Sequence, residues 1–453
     1  MLIRFTLKNF LSFKDKVSFS MIPGAYRNRR EHKNSKVKGV TTLKTSVIYG
    51  ANASGKSNLV KAIAFGRFMV LKGFPSDSYI DYSPYRLNID SLKSDSMLEF
   101  EIQAEGRNYA FGFVFNKKDI VEEWLYEITT NTQTLIFSRD NVNREYNFSG
   151  LFEKNKSDEE RSFIEVIAKS TPDNRLWIHE LASKKVKENV TDLNDVLAVY
   201  GWFRNSLMVI FPDDKYHLGI QSEIGENKDI QSTFETLLNY FDTGVDGVTI
   251  QDVRLENLPI PTPVVEDIKK ELSDSRSENR RSIVTTPQFT FFFAMKEGEL
   301  VVQKFMTKHQ VTGDGTPVYF DTKDESDGTN RIIDFIPLIV DLLKGGNVFV
   351  IDEMERSLHP NLIYDIFDLY LSNAEKVNSQ LIVTTHESNL LSRKLLRKDE
   401  IWFVAKTTEG SSIYSLEDYK VKFDENIMRD YLLGRFKGVP SLGDRGVVEL
   451  KLN

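Results

Sequence analysis

The sequence predicts an α/β protein with an antiparallel β lobe and an inserted helical arm. Three observations predict it. An apolar stretch, a glycine-rich turn and a helix follow one another over residues 46–63. Residues 98–148 alternate apolar and polar side chains in several short runs. Two apolar runs, at 347–353 and 380–386, each end in polar groups.

The turn reads Gly50-Ala51-Asn52-Ala53-Ser54-Gly55-Lys56-Ser57, between Ser46-Val47-Ile48-Tyr49 and Asn58-Leu59-Val60-Lys61-Ala62-Ile63. Strand, turn and helix in this order are the setting of a phosphate-binding P-loop. Backbone N–H groups must close around phosphate oxygens, and the helix N-terminus adds a favourable partial charge. Gly50, Asn52, Ser54, Gly55, Lys56, Ser57 and Asn58 are therefore the expected nucleotide-binding residues. Lys56 is expected to reach the β- and γ-phosphates of ATP, and Ser57 to ligate Mg²⁺.

A length of 453 residues allows two to four domains, or one core with large insertions, and 40% apolar with 11% aromatic residues supports a sizeable core. A formal charge of −7 argues against a protein that coats nucleic acid, although a local basic groove stays open. Cysteine is absent, which excludes disulfides, a cysteine nucleophile and a thiolate zinc site. The opening Met1–Phe10 is interrupted by charge and does not read as a signal peptide. The longest apolar candidate, Ile332–Leu343, contains Asp334 and Asp341 and is too short for a membrane span. The expectation is a cytoplasmic protein with no membrane partner.

Along the chain, Ile3, Phe5 and Leu7 alternate as an opening strand, and Phe10, Phe13, Val17 and Phe19 continue a short sheet. Residues 24–44 carry Arg27, Arg29, Arg30, Lys33, Lys36 and Lys38, a run that reads as a solvated loop and, as the minority reading, a nucleic-acid or partner contact. The helix after the turn is expected to reach about Val70. The meander contains 98–102, 109–115, 124–128 and 134–138. From Ser162 to about Tyr240 helical spacing predominates. Pro259, Pro261 and Pro263 mark a turn or linker, and the polar tract Ser273–Ser282 reads as a mobile loop. The expected domains are thus 1–150, an inserted helical arm or lid at 151–290, and 291–453.

Val348–Ile351 delivers Asp352 and Glu353 at its end. Asp352 is placed to hold Mg²⁺ and Glu353 to orient water at the γ-phosphate. His386 ends the second buried run, as a polar sensor of γ-phosphate or water, or as a structural strand-end histidine. Glu325-Ser326-Asp327-Gly328-Thr329 precedes a helix expected near Asn330. Ser326 and Gly328 could present donors to an anion there, or form a capping turn only.

Together these segments resemble the ABC-type ATPase heads of the SMC and OLD-like class. Gly50–Ser57 matches Walker A. Glu325–Thr329 stands at the signature motif, although it reads Glu-Ser-Asp-Gly-Thr rather than Leu-Ser-Gly-Gly-Gln. Asp352 and Glu353 match Walker B and the catalytic glutamate. Ser357-Leu358-His359-Pro360 matches the segment that faces a second subunit, and His386 matches the switch histidine. The segments 50–58, 352–360, 399–403 and 431–436 look similar to the RloA/AbiL-like ATPases of bacterial anti-phage, abortive-infection systems.

The resemblance implies a Mg-dependent ATPase with Lys56, Glu353 and His386 as catalytic residues. It implies a homodimer or higher homo-oligomer in which these residues face Ser326 and Gly328 of a second subunit across ATP. The stretch after His386 is short for the Toprim nuclease of OLD proteins, so the resemblance implies a separate nuclease or toxin effector, with a nucleic-acid or phage component as a further partner. The competing reading is an SMC-like DNA-repair or recombination ATPase, with Lys184, Lys185, Lys187 and the Arg27–Lys38 run as the candidate DNA surface.

Overall fold

The computed structural model describes residues 1–26, 28–152, 157–183, 193–216, 218–273, 281–285, 290–296, 298–392, 394–419 and 427–436. The chain divides into two compact units. One comprises 1–212, 342–355 and 367–453, the other 213–341 and 356–366.

In the first unit, seven strands form an antiparallel sheet in the order Val17–Ser20, Leu2–Lys8, Ser96–Ala104, Arg107–Phe115, Ile120–Ile128, Gln133–Asp140 and Glu145–Asn147. This is the meander expected from the alternation, joined by the N-terminal strand. Phe5, Leu98, Phe100, Phe111, Phe113 and Leu125 are buried together on it. One gap in the row of side chains is deliberate. The Trp124 indole occupies the space beside Gly112, where a Cβ would come within 2.4 Å of the ring, and donates to Glu99 Oε2 at 3.0 Å.

The second sheet of this unit runs Gly410–Ser415, Ile401–Thr407, Thr45–Tyr49, Gln380–Thr384, Val348–Ile351 and Leu207–Ile210, parallel except at the first pair. Thr45–Tyr49, Val348–Ile351 and Gln380–Thr384 are buried at every residue. That is why they read as continuous apolar runs, since a parallel sheet is covered on both faces. Gln380 ties the two sheets together. Its Oε1 accepts from Leu2 N–H at 2.6 Å, and its Nε2 donates to the carbonyls of Leu2 and Leu43, both at 2.9 Å.

The helix Lys56–Leu71 packs against the antiparallel sheet through Gly66, which lies on the Phe100 ring. Helices Asp158–Ser170, Trp177–Ser183 and Asn194–Gly201 bury Ile164, Trp177 and Val199 in the same core. Helical segments therefore do follow residue 150. The same span also supplies strands that helical spacing does not predict: Leu207–Ile210, Gly247–Val253 and Arg281–Thr285. A four-residue strand such as Leu-Met-Val-Ile has no periodicity of its own, and its partner Val348–Ile351 lies far along the chain.

The second unit holds an antiparallel sheet in the order Gly247–Val253, Glu299–Gln310, Thr290–Lys296 and Arg281–Thr285, with Pro317–Asp321 on the free edge of part of Glu299–Gln310. Phe291, Phe293 and Val302 pack with Ile268 and Leu272 of the helix Thr262–Ser273. Of the tract read as a mobile loop, Ser273 closes that helix, Arg281 and Ser282 belong to a strand, and 274–280 lie outside the described residues. Arg281 is held by the Ser222 carbonyl and by Glu226.

The basic loop after residue 24 is pinned from beneath. His32 Nδ1 is 2.9 Å from Glu400 Oε1, both fully buried, and the Arg397 guanidinium donates to the carbonyls of Tyr26, Asn28 and Arg29. Arg30, Lys36 and Lys38 face solvent. Arg27, Lys184, Lys185, Lys187 and Phe289 lie outside the described residues.

Candidate functional site

The parallel register sets the site. Thr45–Tyr49, Val348–Ile351 and Gln380–Thr384 are neighbours running the same way, so their carboxyl ends deliver the Gly50 turn, Asp352 and His386 at one level. Ligands of open α/β sheets bind at such an edge.

The turn is tightly held. An added Cβ at Gly50 would lie 2.4 Å from the Val404 carbonyl, and one at Gly55 would lie 2.4 Å from Ser411 Oγ and 2.7 Å from Ser12 Oγ. Gly55 also has φ +116°, a conformation L side chains rarely adopt. Ser411 Oγ donates to the Ser54 carbonyl at 2.5 Å and lies 2.8 Å from Ser12 Oγ, which accepts from Asn58 Nδ2 at 2.8 Å. Asn58 thus braces the turn. Asn52 is exposed, and Ser54 is buried with its hydroxyl unpartnered.

Lys56 opens the helix and is itself buried. Its Nζ donates to the Gly50 carbonyl at 2.8 Å and the Ala51 carbonyl at 3.3 Å, and it lies 3.0 Å from His386 Nε2. Burial depresses the ammonium pKa, while Glu355, Asp352 and Glu353 act in the opposite direction. The imidazole pKa is also depressed, by burial first and by the Lys56 charge second. His386 is therefore a neutral acceptor at Nε2.

Ser57 Oγ donates to Asp352 Oδ1 at 3.1 Å. A hydroxyl beside a carboxylate is a hard-oxygen pair of the kind Mg²⁺ takes together with phosphate oxygens. The turn leaves no room for side chains at Gly50 or Gly55, whose Cβ positions are taken by the Val404 carbonyl and the Ser411 and Ser12 hydroxyls, and the buried Ser54 hydroxyl, without a partner among the described residues, is a donor that a phosphate group would satisfy. Among the described residues no group of three or more His, Cys, Asp or Glu is arranged to hold a metal.

Glu353 has φ +47°, and its carboxylate makes no hydrogen bond among the described residues. Its backbone N–H donates to Thr384 Oγ1 at 2.9 Å, and that hydroxyl donates to Asp352 Oδ1 at 2.5 Å. Glu355 Oε1 accepts from the His386 backbone N–H at 2.6 Å, and Oε2 is buried without a partner among the described residues. Thr384 and Glu355 were not expected from the sequence. Thr384 reads as an ordinary β-branched strand residue, and Glu355 sits in a run of turn-like acids. Only the doubled acid spacing Asp-Glu-x-Glu hints at the latter.

Beside the turn lies a cavity of about 390 Å³, lined by Leu11, Ala53, Asn58, Tyr85, Arg86 and Lys406 among others. Aromatic, apolar and cationic side chains next to a phosphate cradle suit a base and ribose.

Lys56, Ser57, Asp352, Glu353 and His386 converge within the first unit. Ser326 and Gly328 belong to the second. The helix there starts at Asp327, three residues earlier than expected, because Ser326 caps it: its Oγ accepts from Thr329 N–H at 3.0 Å. Glu325 Oε1 is engaged by His309 Nε2 at 2.6 Å and by the Thr307 hydroxyl.

No helix among the described residues is long and apolar enough to cross a membrane. No curated protein matches the chain. Solved structures of similar outline include an SMC head domain from Thermotoga maritima, 11% identical with a TM-score of 0.37, covering 91% of this chain and 98% of that one. Another is the SMC head domain with an extended coiled coil bound to the C-terminal domain of ScpA, derived from Pyrococcus furiosus, 15% identical with a TM-score of 0.34, covering 92% and 97%. Residues 46–392, more than half of the chain and spanning both the glycine turn and His386, match a family described as "AAA domain, putative AbiEii toxin, Type IV TA system". With its phosphate cradle, acid pair and terminal histidine assembled on one sheet edge, the chain belongs to this family of P-loop ATPases.

Proposed function

We propose that this protein is the Mg-dependent ATP-hydrolysing subunit of a two-component antiviral defence system, of the RloA/AbiL-like branch, acting in the cytoplasm on a separate nuclease or toxin effector. The observation that carries the hydrolytic part is the convergence of Lys56 and His386, 3.0 Å apart, with Ser57 and Asp352, 3.1 Å apart, at the mouth of one glycine cradle.

In this reading the cradle amides and Lys56 bind the ATP phosphates. Ser57 and Asp352 hold Mg²⁺, which supplies charge neutralisation at the β- and γ-phosphates. Glu353, whose carboxylate has no hydrogen-bond partner among the described residues, orients the attacking water, and neutral His386 accepts a hydrogen bond beside the γ-phosphate. The Tyr85–Arg86–Lys406 cavity takes the adenosine. Ser326 and Gly328 of a second copy complete the site, so that ATP closes a homodimer and hydrolysis opens it. Of the expected arm 151–290, the part beyond residue 212, which belongs to the second unit, serves as the arm or lid through which that cycle reaches the effector.

The toxin–antitoxin association in the family's description supports the defence reading. Purification of the protein from its native host, followed by identification of what accompanies it, tests it. A co-purifying product of a neighbouring gene that becomes a nuclease or toxin on ATP addition is the expected result. Salt-sensitive retention of duplex DNA with ATP, and no partner protein, would favour the DNA-repair reading instead.

A further inference from the structure

We propose that Thr384 is a positioning residue for hydrolysis, setting Asp352 and Glu353 relative to each other through one hydroxyl. The inference rests on the ATPase reading above.

Thr384 is the last residue of the strand Gln380–Thr384 and is 1% exposed. The preceding pair in the register is Ile351↔Val383, so Thr384 stands one step further, level with Asp352. A valine there would fill the same volume with equal strand propensity. A buried hydroxyl is costly unless its bonding capacity is used. Here it is used twice, and both bonds go to the acid pair. The single O–H donates to Asp352 Oδ1 at 2.5 Å, and a lone pair accepts from Glu353 N–H at 2.9 Å.

Each bond does separate work. The first shares Asp352 Oδ1 with Ser57 Oγ, so Asp352 is oriented toward the first turn of the P-loop helix. The second supports Glu353 at φ +47°, a region a non-glycine residue occupies only when its surroundings compel it. Met354 N–H donates to the Thr384 carbonyl at 3.2 Å and extends the same clasp. Glu355 returns the contact from the acid loop to the histidine loop through His386 N–H. Thr384 acts through Asp352 and Glu353.

The test compares Thr384→Val, which keeps the shape and removes the hydroxyl, with Thr384→Ser, which keeps the hydroxyl, in the full-length protein. Two readouts are taken: steady-state ATP turnover, and the Mg²⁺ concentration needed for half-maximal binding of a non-hydrolysable ATP analogue. Turnover of the valine variant is expected to fall roughly 10- to 100-fold at a KM within about threefold of wild type, with the Mg²⁺ requirement raised, while the serine variant stays within about threefold in both. Wild-type turnover and Mg²⁺ requirement in the valine variant would overturn the proposal. So would a serine variant as impaired as the valine one, because packing rather than the hydroxyl would then be at work. Should the valine variant not fold, Thr384→Ala is read against Thr384→Ser by the same criteria. A wild-type protein that hydrolyses no ATP removes the ATPase reading and this inference with it, and is seen before any variant is compared.

Discussion

Lys56 Nζ lies 3.0 Å from His386 Nε2, an ammonium donating to a neutral imidazole across the mouth of the glycine cradle. Protonating His386 would place two cations in contact, and both burial and the Lys56 charge hold its pKa below the ordinary imidazole value. Between that depressed pKa and the ordinary one, the unfolded chain binds more protons. This residue's contribution to stability therefore rises with pH across the window and is lost below it. ATP turnover is expected to fall as pH drops through the depressed pKa, and His386→Ala is expected to lose about 100-fold in turnover at neutral pH. A pH–rate profile of both proteins checks this, and an unchanged acid limb in the alanine variant would exclude His386 as its source.

Replacing Lys56 by Ala removes the cation of the cradle but leaves Gly50 and Gly55 in place. ATP binding is expected to weaken by roughly 10- to 100-fold, from the loss of a charge-assisted hydrogen bond to phosphate. Calorimetric titration with ATP measures it.

Glu353→Gln keeps the backbone bond to Thr384 and removes only the carboxylate charge. Binding is expected to persist while turnover falls by about 10²- to 10⁴-fold, trapping the ATP-bound dimer. Size-exclusion chromatography with ATP reports the dimer. Normal turnover by this variant would falsify the role given to Glu353.

Asp334 is half-buried in the second unit, and desolvation pushes its carboxyl pKa up to about 6, from 3.8. The folded state then binds more protons than the unfolded state between those values, so this residue costs stability as pH rises through the window. Asp334→Asn is expected to stabilise the protein at pH 7.5 by up to about 3 kcal/mol, with the gain gone below pH ~4. Thermal melts at the two pH values decide it.

At Gly66 the P-loop helix lies against the antiparallel sheet, with the Phe100 ring 2.5 Å from where a Cβ would be. Gly66→Ala is expected to destabilise by about 1–3 kcal/mol through overpacking, partly offset by up to about 1 kcal/mol of helix propensity. Its melting temperature should fall although alanine is the better helix former.

Much of this protein is local and therefore legible in the sequence. The glycine turn needs its own eight residues, the meander needs only alternation along each strand, and the polar groups that follow the apolar runs 46–49, 348–351 and 381–383 stand out against them. From these, Lys56, Ser57, Asp352, Glu353 and His386 follow as one site. What tertiary structure alone decided is which distant groups share a hydrogen bond. Leu207–Ile210 became a strand because a buried edge at Val348–Ile351 required a partner. Thr384 became part of the acid pair because parallel register brings its hydroxyl level with Asp352. Glu400, second of the acid pair Asp399-Glu400 in the sequence, became a buried partner of His32 because a buried polar group is costly unless it is hydrogen-bonded. Periodicity and spacing report what a residue does within its own element. A hydroxyl or carboxylate whose partner comes from another element leaves no trace in them.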